Sequence, residues 1–542
     1  MNKISGNIVD VLNEEIFSGT LIIAEGRIAD IVREDKNYPN YIIPGFIDAH
    51  VHIESSMLVP SEFAWIAAVH GTVATVSDPH EIANVLGMDG IMYMIQSARS
   101  VPVRFYFGAP SCVPATEFET SGAAVGINEV EELLKMGEIK YLAEVMNFPG
   151  VIHGDAEVHE KIRLAKKYGK TVDGHAPGLG GNDLRKYINA GITTDHETLG
   201  REEAIEKISL GMKILIREGS AAKNFDELIT LVDEYPEWCM FCSDDKHPDE
   251  LIRGHINEMV KRAAHVGIDH MKVLRAACVN PVRHYGLDSG LLQIGDSADF
   301  LVIDNLKDFT VLRTFISGMA VAEAGKTLIH RTDVRTVNKF HAERKKPDDF
   351  MVPARGEWIR VIEAIDGKLT TGELTEVATV ADGNVTSSAE RNIHKIVVVN
   401  RYRETNPAIG FIRNFGLFDG AIASSIAHDS HNVIAVGVSD EDICRAVNLI
   451  MEHKGGICAV SQDKEMILPL PVAGIMSDQE YAEVAEKYSA LDRMSKELGS
   501  MLHAPFMTLS FMALPVIPKL RITDKGLFDV EQFEFVDLFM SS

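Results

Sequence analysis

The sequence predicts an α/β protein with three parts. A (β/α)8 TIM-like barrel spans residues 44–285, a small β-sandwich is formed from segments before and after it (1–43 with 286–339), and a C-terminal α+β domain covers 340–542. Three observations carry this. Strand-like apolar runs alternate with amphipathic helical stretches through the middle of the chain. Polar residues recur at the carboxyl ends of those runs, where barrels keep their chemistry. Short β patches of similar texture flank the middle on both sides.

Taken in order, residues 3–43 read as short strands, such as 6–11 and 19–24, with a turn at Glu25-Gly26. An apolar run then passes through Pro44-Gly45 into a strand ending on His50 and His52. Further strand ends are read at 72–78, 103–107, 141–145, 171–175, 192–196, 213–217 and 239–244. Helices are expected between them, at 157–168, 201–210 and 249–265. A doubly wound sheet is the structural competitor; the polar strand ends favour the barrel. The β texture returns at 295–303 and 311–321, and a charged linker, His341 to Asp349, opens the last part. There a strand at 392–400 and helices at 440–453 and 477–498 are expected, and the Phe-, Met- and Leu-rich stretch 504–518 reads as core or oligomer contact.

A formal charge of −26 argues against nucleic-acid or anionic-membrane partners and favours a small neutral or cationic substrate. No apolar stretch reaches the ~20 residues of a spanning helix, and the first residues lack the apolar core of a signal peptide. Six scattered cysteines suit a reducing compartment, so a cytoplasmic protein is expected.

Successive strand residues point to opposite faces, so His50 and His52 share one and can reach a single ion. Later strand ends add Glu144, His175, His196 and Asp244. Each alone reads as an ordinary polar strand end. The ordered set is more specific: four imidazoles and two carboxylates on one rim suffice for two divalent ions with a bridging carboxylate. Such donors suit Mn2+, Fe2+ or Zn2+. Glu54 lies just past the histidines as a candidate for proton transfer or substrate contact. Asp78, His80 and Glu81 after strand two, and His428, Asp429 and His431 far downstream, are accessory candidates for substrate or metal, or loop residues. Two motifs are set aside. His52-Ile53-Glu54 with Cys239-Met-Phe-Cys242 imitates a cytidine-deaminase-type zinc site, but Trp238 stands where that signature needs proline. Gly178-Leu-Gly-Gly181 lacks a phosphate-loop context and reads as a turn beside His175.

Pro-Gly-Phe-Ile-Asp-Ala-His50-Val-His52, the downstream His175, His196 and Asp244, and Gly-Asp-Ser-Ala-Asp-Phe-Leu-Val from Gly295 resemble the amidohydrolase superfamily. Within it, His50-Val-His-Ile-Glu54-Ser55-Ser56, Ser77-Asp-Pro-His-Glu-Ile-Ala-Asn84, Asp173-Gly-His-Ala-Pro-Gly-Leu179 and His428-Asp-Ser-His-Asn432 resemble the adenine deaminases, over essentially the whole chain. The resemblance implies hydrolysis of adenine to hypoxanthine and ammonia by metal-activated water, in purine salvage. It implies His50, His52, Glu144, His175, His196 and Asp244 as metal ligands and Asp244 also as proton carrier; Glu54, otherwise an exposed loop carboxylate, and Ser55 stay candidates for substrate contact. Glu144 stands where many superfamily members use a carboxylated lysine. Two ions, Mn2+ or Fe2+ ahead of Zn2+, and a homo-oligomer, with a dimer favoured, are the expectations. Another aminopurine or a cyclic amide as substrate, and a barrel that has lost catalysis, are the alternatives.

Overall fold

The computed structural model describes residues 2–220 and 222–540. Eight short runs follow in sequence order, β1 (Phe46–Val51), β2 (Thr72–Ser77), β3 (Arg104–Ala109), β4 (Ile139–Val145), β5 (Thr171–Gly174), β6 (Thr194–Asp195), β7 (Lys213–Arg217) and β8 (Cys239–Cys242), with parallel ladders joining β1 to β5 and β6 to β8. Between β5 and β6 the Thr193 amide donates to the Val172 carbonyl at 2.9 Å. The ring closes where Val51 bridges Asp244 and the Asp244 amide donates to the His50 carbonyl at 2.9 Å. Closure leaves no free edge. Gly45 is needed at the entry to β1, because a Cβ there would lie 2.4 Å from the Val73 methyls.

Two expectations are corrected. β6 is only Thr194–Asp195, because side chains replace the ladder around it: Thr194 Oγ1 accepts from the Gly174 amide at 3.3 Å and Asp195 Oδ1 from the Ala176 amide at 2.8 Å. The helix expected at 249–265 is two, Pro248–Leu251 and Ile256–His265. The break turns His255 inward, where Nε2 meets Asp48 Oδ2 at 2.7 Å and Nδ1 meets Thr72 Oγ1 at 2.7 Å. Asp48 also accepts from the Ser243 amide at 2.9 Å, so this buried polar bolt joins β1 to the end of β8.

The expected small sandwich is hydrogen-bonded as one continuous sheet of eight strands. Tyr41–Pro44 pairs in parallel with Asn2–Asp10 on one side and antiparallel with Phe300–Ile303 on the other. Ile8, Leu21, Ile42, Phe300 and Val302 share a buried cluster that holds the two chain segments together.

A second eight-stranded sheet lies in the C-terminal region, with Ile393–Val399 (β9), Ala421–Ser424 (β10) and Val433–Gly437 (β11) near its centre. The apolar run Ile396 to Val399 that ends β9 has a direct cause: both faces are covered. Val397 and Val399 face the helix Asp440–Glu452, while Ile396 and Val398 join the cluster that contains Val51, Ile53 and Ile82 of the barrel. The sheet therefore rests on the barrel rim. Among the described residues no helix is long and apolar enough to cross a membrane.

Candidate metal centre

The carboxyl ends of β1, β4, β5, β6 and β8 bring His50, His52, Glu144, His175, His196 and Asp244 into one cluster, all buried but the partly buried His175. His50 Nε2 and His52 Nε2 stand 3.1 Å apart. Asp244 Oδ1 lies 3.6 Å from the first and 3.2 Å from the second. Glu144 divides its oxygens: Oε1 is 3.3 Å from His52 Nε2, while Oε2 is 2.7 Å from His175 Nδ1 and 3.2 Å from His196 Nε2. The His50 and His196 rings stack at 4.1 Å. One carboxylate thus stands between two groups of imidazoles, the placement of a bridge.

The surroundings aim these donors. His52 Nδ1 donates to the Asp78 carbonyl at 3.3 Å, which leaves Nε2 with its lone pair toward the cluster. Asp244 Oδ2 accepts from Arg217 at 2.5 Å, and Arg217 also holds Glu197 through both guanidinium nitrogens. Asp195 pairs with the buried Lys207 at 2.8 Å and fixes the backbone after His175. Ser55 does not aim at the cluster; its hydroxyl donates to Asp245. Asn147 caps the helix Phe148–His153 by accepting from the Gly150 amide at 2.9 Å. Arg217, Glu197 and Asp245 are site residues that sequence reasoning missed. The available signal was Arg217 itself, a charge closing the apolar run Ile214 to Ile216 at the level of the other strand ends.

Charge balance agrees with metal binding. Burial raises the Glu144 carboxyl, but His175 and His196 outweigh it and hold the group well below the ordinary carboxylate range. Burial likewise raises Asp244, and Arg217 and His52 hold it well below. For His196, burial lowers the imidazole but Glu144 and Asp244 lift it to about 9. For His50, burial with the adjacent His196 and His52 outweighs Glu144 and Asp244 and pushes it well below its usual value. Protons on imidazoles thus balance the two carboxylates, and metal loading must release them. Neutral imidazole nitrogens and carboxylate oxygens within reach of one another are the donor chemistry of divalent transition ions.

The accessory candidates converge beside this cluster. His80 Nδ1 is 3.2 Å from Asp78 Oδ2 and 3.6 Å from Glu144 Oε1. On its other side Nε2 is 3.5 Å from Glu81 Oε1 and 3.9 Å from Asp429 Oδ2. His428 and His431, on the loop between β10 and β11, both contact Glu81. Glu54 accepts from the Ile82 amide at 3.2 Å; burial, opposed by backbone hydrogen bonds and assisted by Glu81, lifts its carboxyl to about 7. Cys239 and Cys242 are buried within β8. Gly178 and Gly181 both take left-handed backbone in the turn after His175.

The amidohydrolase family model matches residues 41–321, and the adenine deaminase C-terminal domain model matches residues 368–534. The chain is 55% identical to an adenine deaminase of Sulfurovum sp. (strain NBC37-1), with 99% of each chain covered. The chain belongs to the adenine deaminase family. Family relatives named adenine deaminase include those of Salinibacter ruber, 54% identical, and Borreliella burgdorferi, 48% identical, each over 99% of both chains. The amidohydrolase match covers all six donors, and the C-terminal match covers His428, Asp429 and His431.

Proposed function

We propose that this chain is an adenine deaminase that hydrolyses adenine to hypoxanthine and ammonia. The observation that carries the chemistry is Glu144, whose two oxygens face separate groups of histidines, so that it would serve as the shared carboxylate ligand. Full-length similarity to adenine deaminases carries the substrate.

The proposed ligands are His50, His52, Glu144, His175, His196 and Asp244, holding two divalent ions, Mn2+ or Fe2+ ahead of Zn2+. When bound, the ions supply water of lowered pKa and charge stabilisation for a developing oxyanion. Asp244 is the proton carrier. Its Oδ1 faces the two β1-end histidines while Arg217 fixes Oδ2, which orients the carboxylate to take the proton of the attacking water. It then delivers that proton to the ring nitrogen N1 as C6 gains the oxygen, and the remaining hydroxyl proton passes to the amino group, so that the C6–N6 bond breaks with loss of ammonia. Glu54, poised near neutrality, is placed to hold the purine edge or assist this transfer. Hydrophobic cover from the C-terminal sheet excludes bulk water, which strengthens each of these interactions.

The division at 43/44, 285/286 and 339/340, a cytoplasmic place in purine salvage and a homo-oligomeric state belong to the same proposal. The test is ammonia release from adenine, with the ultraviolet shift to hypoxanthine, by protein reloaded separately with Mn2+, Fe2+ and Zn2+. Metal-dependent turnover is expected. A loaded protein that leaves adenine untouched overturns the substrate and directs the search to other aminopurines and cyclic amides.

A further inference from the structure

Beside the cluster that binds the two ions proposed above lies a second, which the reaction scheme leaves unused. Glu81 comes from the first turn of the helix His80–Leu86 on the barrel rim. His428 and His431 come from the loop between β10 and β11. Glu81 Oε1 lies 2.6 Å from His428 Nδ1, and Oε2 is pressed against His431 Nε2. All three residues are at most 3% exposed.

We propose that Glu81, His428 and His431 form a further divalent-cation site, which fastens the C-terminal loop to the barrel rim. Four features carry it. First, the contact between Glu81 Oε2 and His431 Nε2 lacks hydrogen-bond geometry, and both atoms are buried without a hydrogen-bond partner. Two lone-pair donors forced together in a dry interior need a shared positive charge. His431 Nδ1 and Asp429 Oδ2 are also unpartnered, and His80, Glu81 and Asp429 offer donor atoms within 4.8 Å of one another. Second, buried carboxyl groups crowd this place: Glu54 and Asp429 both lie close enough to Glu81 to feel its charge, and the ions proposed for the first cluster already use Glu144 and Asp244. Third, His431 holds left-handed backbone (φ 54°), as Asp244 does in the first cluster (φ 54°); a non-glycine residue keeps that conformation where surrounding contacts impose it. Fourth, the His428 ring is fixed from behind by Phe511, stacked at 4.3 Å. Two imidazoles with one carboxylate select a borderline transition ion over Mg2+ or Ca2+, which require oxygen-rich shells.

This inference rests on the binuclear reading only for its neighbour, and the experiment separates the two. Full-length protein is stripped of metal, reloaded with Mn2+, dialysed and analysed for metal per chain. Replacing both His428 and His431 with alanine is expected to remove about one equivalent relative to the unaltered chain. His196→Ala, in the first cluster, is expected to leave that equivalent in place whatever the substrate proves to be. Equal metal content in the unaltered chain and the double variant overturns the proposal. So does a double variant with unchanged metal content and a raised KM for adenine, which makes the cluster a purine contact. Should the double variant not fold, crystals of the unaltered Mn2+-loaded protein decide. An anomalous peak between Glu81, His428 and His431 supports the site, and peaks confined to the first cluster overturn it.

Discussion

The two histidine–carboxylate clusters lie side by side with His80 between them, 3.6 Å from Glu144 on one side and 3.9 Å from Asp429 on the other. They are assembled in different ways. The first takes every donor from the ends of strands of the same barrel, so hydrogen-bonded ladders and the Asp48–His255–Ser243 bolt set its geometry. The second draws Glu81 from the barrel and its histidines from a loop of a separate sheet, so it exists only when the two are packed together. A rim built by one sheet is preorganised by the barrel itself. A rim shared with a second sheet depends on docking, and on whatever charge settles the seam.

The harshest test of this contrast is Glu144→Gln, which removes the charge between the imidazole groups. Turnover is expected to fall by about 10³-fold or more with loss of metal, since breaking a shared ligand disables both ions. A variant with normal metal content and rate removes the bridge. Arg217→Met should cost about 10²-fold in kcat with little change in KM, because Asp244 loses the partner that fixes its second oxygen. A raised KM with unchanged kcat would mean that Arg217 binds substrate instead.

Acid sensitivity separates the sheet from both clusters. His394 sits buried in β9 with both ring nitrogens unpartnered, and burial lowers its imidazole to about 4. A histidine whose folded value is depressed is protonated first in the unfolded chain, so stability is full above about pH 6.5 and declines as pH falls toward 4. His394→Phe is expected to recover up to about 2 kcal/mol of the loss at pH 5, read from denaturant midpoints at pH 7.5 and pH 5. An unchanged difference between the two pH values places the acid sensitivity in the clusters. The mildest effect is expected for His428→Ala, about tenfold or less in kcat/KM, since the first cluster stands without it. A loss as large as that of Glu144→Gln would make the two clusters one functional unit.

The sequence by itself determined the barrel and the first cluster. Apolar runs of strand length alternate with helical periods, and period-two geometry puts His50 and His52 on one face, so local rules suffice. Glu144, His175, His196 and Asp244 were legible for the same reason: each closes its own strand. Only the tertiary structure decided the rest. The shortness of β6, the inward turn of His255 and the Arg217–Asp244 pair depend on side chains reaching across strands, which no local period records. Glu81, His428 and His431 were visible as polar residues, but their meeting depends on β9 being covered on both faces, because that burial seats the second sheet on the rim and carries its loop to Glu81.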